Sequence, residues 1–225
     1  MPTDRIPFTY WSDPLCVWAL VAQPRLDALL RDYGAWLAAE YRVVPVFGSV
    51  RERLRAGPWA REGLEGRVVA TRRIAEQAGR TDVSGECWRR ATPATSWAPA
   101  AASKAVSAAV VAGEVPAEVA PRYTVALREA FFVSERNPAL RSVQLEVAEA
   151  LGVPRAAVEA RLDDGSALAA VWEDHAERER LKLQGSPTFV FDGGRAMLYG
   201  NFPSGLLHGT VDQLLQGLYP GGSVC

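Results

Sequence analysis

The stretch Asp13-Pro14-Leu15-Cys16-Val17-Trp18-Ala19 places one thiol where an apolar strand, Ile6 to Trp11, gives way to a helix. A cysteine there sits at the positive end of the helix, which favours the thiolate and lowers the thiol pKa. Two-cysteine redox centres carry a second thiol three positions later, to close a disulfide and release a trapped partner. Here that place holds Ala19, so Cys16 works without a neighbour in its own motif. Three chemistries stay open: a single-thiol catalyst, an enzyme using the site for something other than disulfide exchange, and a scaffold that has lost its redox chemistry.

The other candidate groups are each open to two readings. Cys87, beside Trp88, is either a resolving thiol reaching Cys16 across a groove or a core residue; a disulfide needs the two Cα atoms within roughly 7 Å. Cys225, at the chain end, is expected to be exposed and incidental. Trp18 either walls a substrate groove or packs the first helix, and Trp59, Trp88 and Trp97 either line an apolar pocket or fill a core. Asp13 raises the thiol pKa if close, or caps the helix. His175, in the charged run Glu173-Asp174-His175-Ala176-Glu177-Arg178, is expected to be solvated, and His208 to lie at a surface boundary. Neither is placed near Cys16, so no Cys-His nucleophilic pair is assigned. Histidines and cysteines share no ligand spacing, and no metal is expected.

The elements that must position Cys16 follow from the hydrophobic period. A strand at Ile6 to Trp11, a helix from about Val17 to Asp32 with Pro24 expected to kink or divide it, and a strand at about Glu40 to Val46 make a β-α-β unit with parallel strands. From about Arg51 to Arg180 the period is helical, with helices expected at Arg61 to Ala78, Ala98 to Ala112, Pro121 to Phe132, Pro138 to Leu151, Pro154 to Leu162 and Ser166 to Leu183. Thr81 to Ala98 reads as a loop or lid. Thr188 to Phe191, Asp192-Gly193-Gly194 and Ala196 to Tyr199 make a β-hairpin. A final amphipathic helix carries Leu206, Leu207, Val211, Leu214, Leu215 and Leu218. The order β-α-β, helical block, β-β-α is an α/β thioredoxin-like fold interrupted by an all-helical insertion, residues 1–50 and 183–225 forming one domain and 51–182 the other.

Composition narrows the function classes. The 225 residues are 48% hydrophobic, enough for a full core, and 25 basic residues against 26 acidic give a net charge of -1. Without a basic stripe there is no electrostatic case for nucleic acid, nor for a membrane surface. No signal-like start or bilayer-length apolar run is read, and three scattered cysteines do not make a disulfide framework, so a reducing, cytoplasmic setting is expected.

With Asp13 to Ala19, Gly185-Ser186-Pro187-Thr188-Phe189 opening the hairpin, Leu198-Tyr199-Gly200-Asn201 closing it, and the helical stretch Ser134 to Glu149 followed by Gly152, nearly the whole chain resembles the DsbA-like branch of the thioredoxin superfamily. That branch includes the FrnE-type proteins, the kappa-class glutathione transferases and the hydroxychromene carboxylate isomerases. The resemblance implies a cis peptide before Pro187, close to the sulfur of Cys16, with the Ser186 backbone offering strand-like hydrogen bonds to a bound thiol or peptide. It makes Trp18, Ser186, Pro187, Thr188 and Asn201 the candidate substrate-binding residues.

The chain also departs from that pattern. Cys16-Val17-Trp18-Ala19 excludes an intramotif disulfide. The transferases and isomerases use serine at the position of Cys16 to hold a glutathione sulfur, and their Ser-Asp pair after the hairpin is Asn201-Phe202 here, without the acid. The expectation is a thiol-dependent enzyme with Cys16 as its single catalytic residue. It acts on a small thiol, a cysteine-containing peptide or an electrophile, by thiol-disulfide exchange, thiol transfer or isomerisation. It holds no tightly bound cofactor, with a low-molecular-weight thiol as the candidate cosubstrate and a homodimer compatible with the group. The alternatives are a redox-inactive protein that binds a peptide or partner in the groove, and chemistry in a helical pocket that needs no sulfur.

Overall fold

The computed structural model describes residues 5–56 and 59–217. Four strands, β1 (Ile6–Ser12), β2 (Leu37–Val43), β3 (Thr188–Phe191) and β4 (Ala196–Tyr199), form one sheet in the order β2-β1-β3-β4. β1 runs parallel to β2 and antiparallel to β3, which pairs antiparallel with β4. The alternation of β1 explains its two faces. Phe8 and Tyr10 join Phe189 and Phe191 against helices α1 (Val17–Tyr33) and α10 (Ser204–Leu215) through Leu26, Leu29, Leu207 and Val211. Trp11 points the other way, against Val44, Leu183 and Val190.

Between β2 and β3 the chain is helical: α2 (Val50–Arg55), α3 (Gly63–Gln77), α4 (Cys87–Arg90), α5 (Trp97–Val111), α6 (Val119–Phe132), α7 (Arg141–Ala150), α8 (Arg155–Asp163) and α9 (Ser166–Arg180). α5 is its hub. Ala100, Ala101, Ala102, Ala105 and Ala109 are buried, and this small face lets α6, α8 and α9 close around it. A second core joins the inserted helices to α1, with Leu15, Val17, Leu20 and Val21 packed among Phe47, Val68, Trp88, Phe131 and Phe132.

Several sequence expectations change. α1 is not divided at Pro24 but runs through it as one helix, with Pro24 itself exposed. β2 begins three residues earlier than expected and stops before Pro45, which has no N–H to donate. Thr81 to Ala98 is not a lid: Val83, Cys87, Trp88, Ala91, Pro93 and Ser96 are buried. Gly85, at φ +82°, lets this segment approach α3 so closely that an added Cβ would lie 2.3 Å from the Val68 carbonyl oxygen. His175 is half-buried between Trp97 and Trp172, with ring centroids 5.6 and 5.4 Å away, because the charged run of α9 turns only one of its faces to water. Leu218 and Cys225 lie outside the described residues.

Candidate active site

Cys16 is the N-cap residue of α1, in extended backbone at φ -92° and ψ 112°. The chain is turned into the helix by Asp13, whose side chain accepts from the Leu15 N–H at 2.6 Å while its carbonyl accepts from the Cys16 N–H at 3.1 Å. Asp13 therefore caps the turn before the helix, not the helix itself. Its second carboxyl oxygen accepts from the Val46 N–H at 2.6 Å and so ties β2's exit to the same turn. Asp13 is fully buried, and burial pushes its carboxyl up to about 6 against the pull of these two N–H groups.

The hairpin side of the site comes from the Gly185-Ser186-Pro187 segment. The Ser186–Pro187 peptide is cis. The Ser186 hydroxyl accepts from the Asp13 N–H at 2.8 Å, and its carbonyl accepts from the Cys16 thiol at 3.2 Å. One serine thus holds both the turn and the sulfur. Beneath them lies Arg128 of α6, 1% exposed, donating to the Asp13 carbonyl at 3.3 Å, to the Ser12 hydroxyl, and to Gln23 at 3.4 Å. An inserted helix therefore braces the strand-to-helix junction from below.

The thiol does not have the lowered pKa expected at a helix start. Cys16 is 7% exposed, and burial pushes it above the ordinary range; the Ser186 side chain and the Ala19 backbone, by favouring the thiolate, and the Arg128 charge pull down, while Asp13 pushes further up. Desolvation of a largely buried sulfur outweighs what the helix end supplies. At rest Cys16 is a protonated thiol donating to a carbonyl.

In front of Cys16 opens a cleft of about 340 Å³, lined by Trp18, Pro45, Val46, Phe47, Arg53, Trp59, Arg67, Arg178, Gln184, Gly185, Ser186 and Tyr199. Trp18, 42% exposed, stands on the first turn of α1 as one of its walls. Among the candidate residues, Cys16, Trp18 and Ser186 therefore meet at the cleft, with Pro187 adjoining. Thr188 and Asn201 are not among its lining. The Thr188 hydroxyl donates to the Gly185 carbonyl at 2.7 Å and fixes the turn, and Asn201 accepts from Arg25 at 2.6 Å.

Cys87 is fully buried, bonded through its thiol to the Gly85 carbonyl at 3.7 Å, and pushed up to about 12 by burial. Both cysteines are free. Of Trp59, Trp88 and Trp97, Trp59 alone lines the cleft, Trp88 being core and Trp97 packing on His175. Sequence reasoning missed Arg53, Arg67 and Arg178, which lie on three different helices and share no motif. Among the described residues no group of three metal-ligating side chains occurs, and no helix is long and apolar enough to cross a membrane.

Comparison with known proteins fits this geometry. Solved structures share the fold across nearly the whole chain. A Nitrosomonas europaea protein provisionally assigned as a protein disulfide isomerase aligns at 18% identity over 95% of this chain and 99% of its own, with a TM-score of 0.73. A 2-hydroxychromene-2-carboxylate isomerase aligns at 21% over 96% and 100%, TM-score 0.64. The cytosolic disulfide reductase DsbM of Pseudomonas aeruginosa, solved also with glutathione, aligns at 24% over 94% and 96%, TM-score 0.62. No curated protein matches. The model of the DSBA-like thioredoxin domain matches residues 9–212, and the chain belongs to that family.

Proposed function

We propose that the protein is a DsbA-type enzyme in which Cys16 acts as a single thiol on a small disulfide or thiol. The observation that supports this reading is the placement of the Cys16 sulfur: it meets the Ser186 carbonyl beside Pro187, at the floor of a cleft of small-molecule size. The Cys16 thiol gives its proton to solvent, and the thiolate attacks one sulfur of the bound disulfide. The old S–S bond breaks, a thiolate leaves, and a mixed disulfide remains on Cys16. With Ala19 in place of a resolving thiol, and Cys87 sealed in the core, a second external thiol attacks that mixed disulfide and restores Cys16. A reducing, cytoplasmic setting would supply that thiol. DsbM was solved with glutathione, which supports a small thiol as cosubstrate.

A second reading is favoured by the raised thiol pKa. A protonated Cys16 can donate its S–H to a substrate sulfur without attacking it, the role that serine plays in the isomerases. Turnover of a small disulfide with an external thiol as reductant separates the two. If Cys16 is the nucleophile, Cys16→Ser abolishes turnover and Cys87→Ala leaves it within a factor of about two. Retained turnover in Cys16→Ser would overturn the nucleophile reading in favour of the donor.

A further inference from the structure

Many arginines of this chain are paired with carboxylates, among them Arg80 with Asp82 and Glu129, Arg155 with Glu149, and Arg161 with Glu114. The cleft in front of Cys16 breaks that pattern. Arg67 lies with its guanidinium 4.2 Å from the Trp59 ring centroid and 5.0 Å from that of Trp88. Its Nε is sealed from solvent, with no hydrogen-bond partner among the described residues. Among the described residues, no carboxylate pairs with Arg67 or with Arg53, which sits over Phe47 and Trp59 and donates only to the Val46 carbonyl, at 3.0 Å. Arg178, the third cation, is partly neutralised by Glu179 at 3.5 Å.

Among the described residues, no aspartate or glutamate lines the cleft. A desolvated guanidinium with an unsatisfied N–H is costly, and the cation-π contacts recover only part of that cost. A carboxylate in the cleft, which Arg67 lines, would pair with that charge. The flat faces of Trp18 and Trp59 stand in the same cleft, and no carboxylate among its described lining residues would pair with an ammonium.

We propose that this cleft binds a flat, carboxylate-bearing disulfide or thiol that carries no ammonium, its carboxylate taken by Arg67 and Arg53 while its sulfur meets Cys16. The sulfur half of this assignment rests on the reading of Cys16 as the reactive group; the carboxylate half stands on the arginines. Arg67 supplies the fork that a carboxylate fits, with the indole rings fixing its plane.

The test uses two aromatic disulfides on the Cys225→Ser chain, one dianionic, 5,5′-dithiobis(2-nitrobenzoate), and one neutral, 2,2′-dithiodipyridine. Each is attacked by Cys16 with release of one aromatic thiolate and formation of one mixed disulfide. The dianionic reagent is expected to saturate, and its rate relative to the neutral one to exceed the same ratio for a free thiol by roughly tenfold or more. Arg67→Gln is expected to bring the dianionic-to-neutral rate ratio down to that of a free thiol, the ratio cancelling any change in the reactivity of Cys16 itself. A thiol-independent arm titrates isophthalate and its diamide into Cys16→Ser by calorimetry, with the diacid expected to bind and the diamide not.

A free-thiol rate ratio together with equal or absent binding of diacid and diamide would overturn the anion site. A preference that survives Arg67→Gln would overturn the role of Arg67. Isophthalate binding alongside a Cys16 inert to both disulfides would retain the anion site and sink the thiol reading, so the two claims fail separately.

Discussion

Arg128, buried, and Arg67, half-buried, are two cations near the same thiol, and they differ in what satisfies them. Arg128 spends its guanidinium on the Asp13 carbonyl, the Ser12 hydroxyl and Gln23, all within the fold. Arg67 has indole rings around it and a sealed Nε with no partner among the described residues. A buried charge whose hydrogen bonds are completed by the chain is part of the scaffold. One left incomplete beside a cleft is the part of the molecule kept for something that arrives later.

The contrast can be broken most strongly at Arg128. Arg128→Met leaves the Asp13 carbonyl and the Ser12 hydroxyl without their buried donor and should cost about 3–5 kcal/mol in chemical denaturation. A loss below about 1 kcal/mol would mean that the partnered cation is not holding the junction.

Asp13, on the same buried turn, sharpens the comparison through pH. Its folded pKa of about 6 lies above the unfolded carboxylate value, so the native state binds the extra proton between about pH 4 and 6. The stability this group contributes is full below about pH 4 and is lost as pH rises through about 6. Relative to Asp13→Asn, the unsubstituted chain should therefore lose up to about 3 kcal/mol between pH 4 and pH 7. A difference flat in pH would contradict the raised carboxyl.

Arg67→Gln should show the opposite behaviour to Arg128→Met. Removing a cation without a carboxylate partner among the described residues should change unfolding free energy by less than about 1 kcal/mol. A loss of the size expected at Arg128 would place Arg67 in the scaffold.

The two thiols give the smallest and most local contrast. Both are buried, but Cys16 lines the cleft while Cys87 is closed in by the core. Alkylation of Cys16 by iodoacetamide should still be rising at pH 8.5, the ordinary thiol midpoint of about that value lying below its own. Cys87 should react only as fast as the chain unfolds. A Cys16 plateau near pH 7 would show that the helix end prevails over burial.

How much of this was legible in the chain depends on whether the signal is local. β1, α1 and the hairpin were readable because an apolar run, Gly-Gly punctuation and the Leu20 to Leu30 period are written within a few residues. The Cys16 and Gly185-Ser186-Pro187 pair was readable as a motif. The three cleft arginines were not, since Arg53, Arg67 and Arg178 come from separate helices and only the packing of those helices brings them to one opening. The thiol's raised pKa was missed for the same reason. A helix start is visible in sequence, whereas the burial of Cys16 depends on surroundings drawn from distant segments, Ser186 among them. Asn201 and Thr188 carried the motif but spend their polar groups on Arg25 and Gly185.

The central claim is that Cys16 alone forms and releases a mixed disulfide. Intact-mass and peptide mapping of the Cys225→Ser chain, after incubation with an oxidised small thiol and again after addition of a reduced one, tests it directly. A single adduct on the peptide carrying Cys16, absent from Cys16→Ser and removed by the reduced thiol, is the predicted result. An unmodified Cys16 at pH 9, or an adduct that persists under excess thiol, would contradict it.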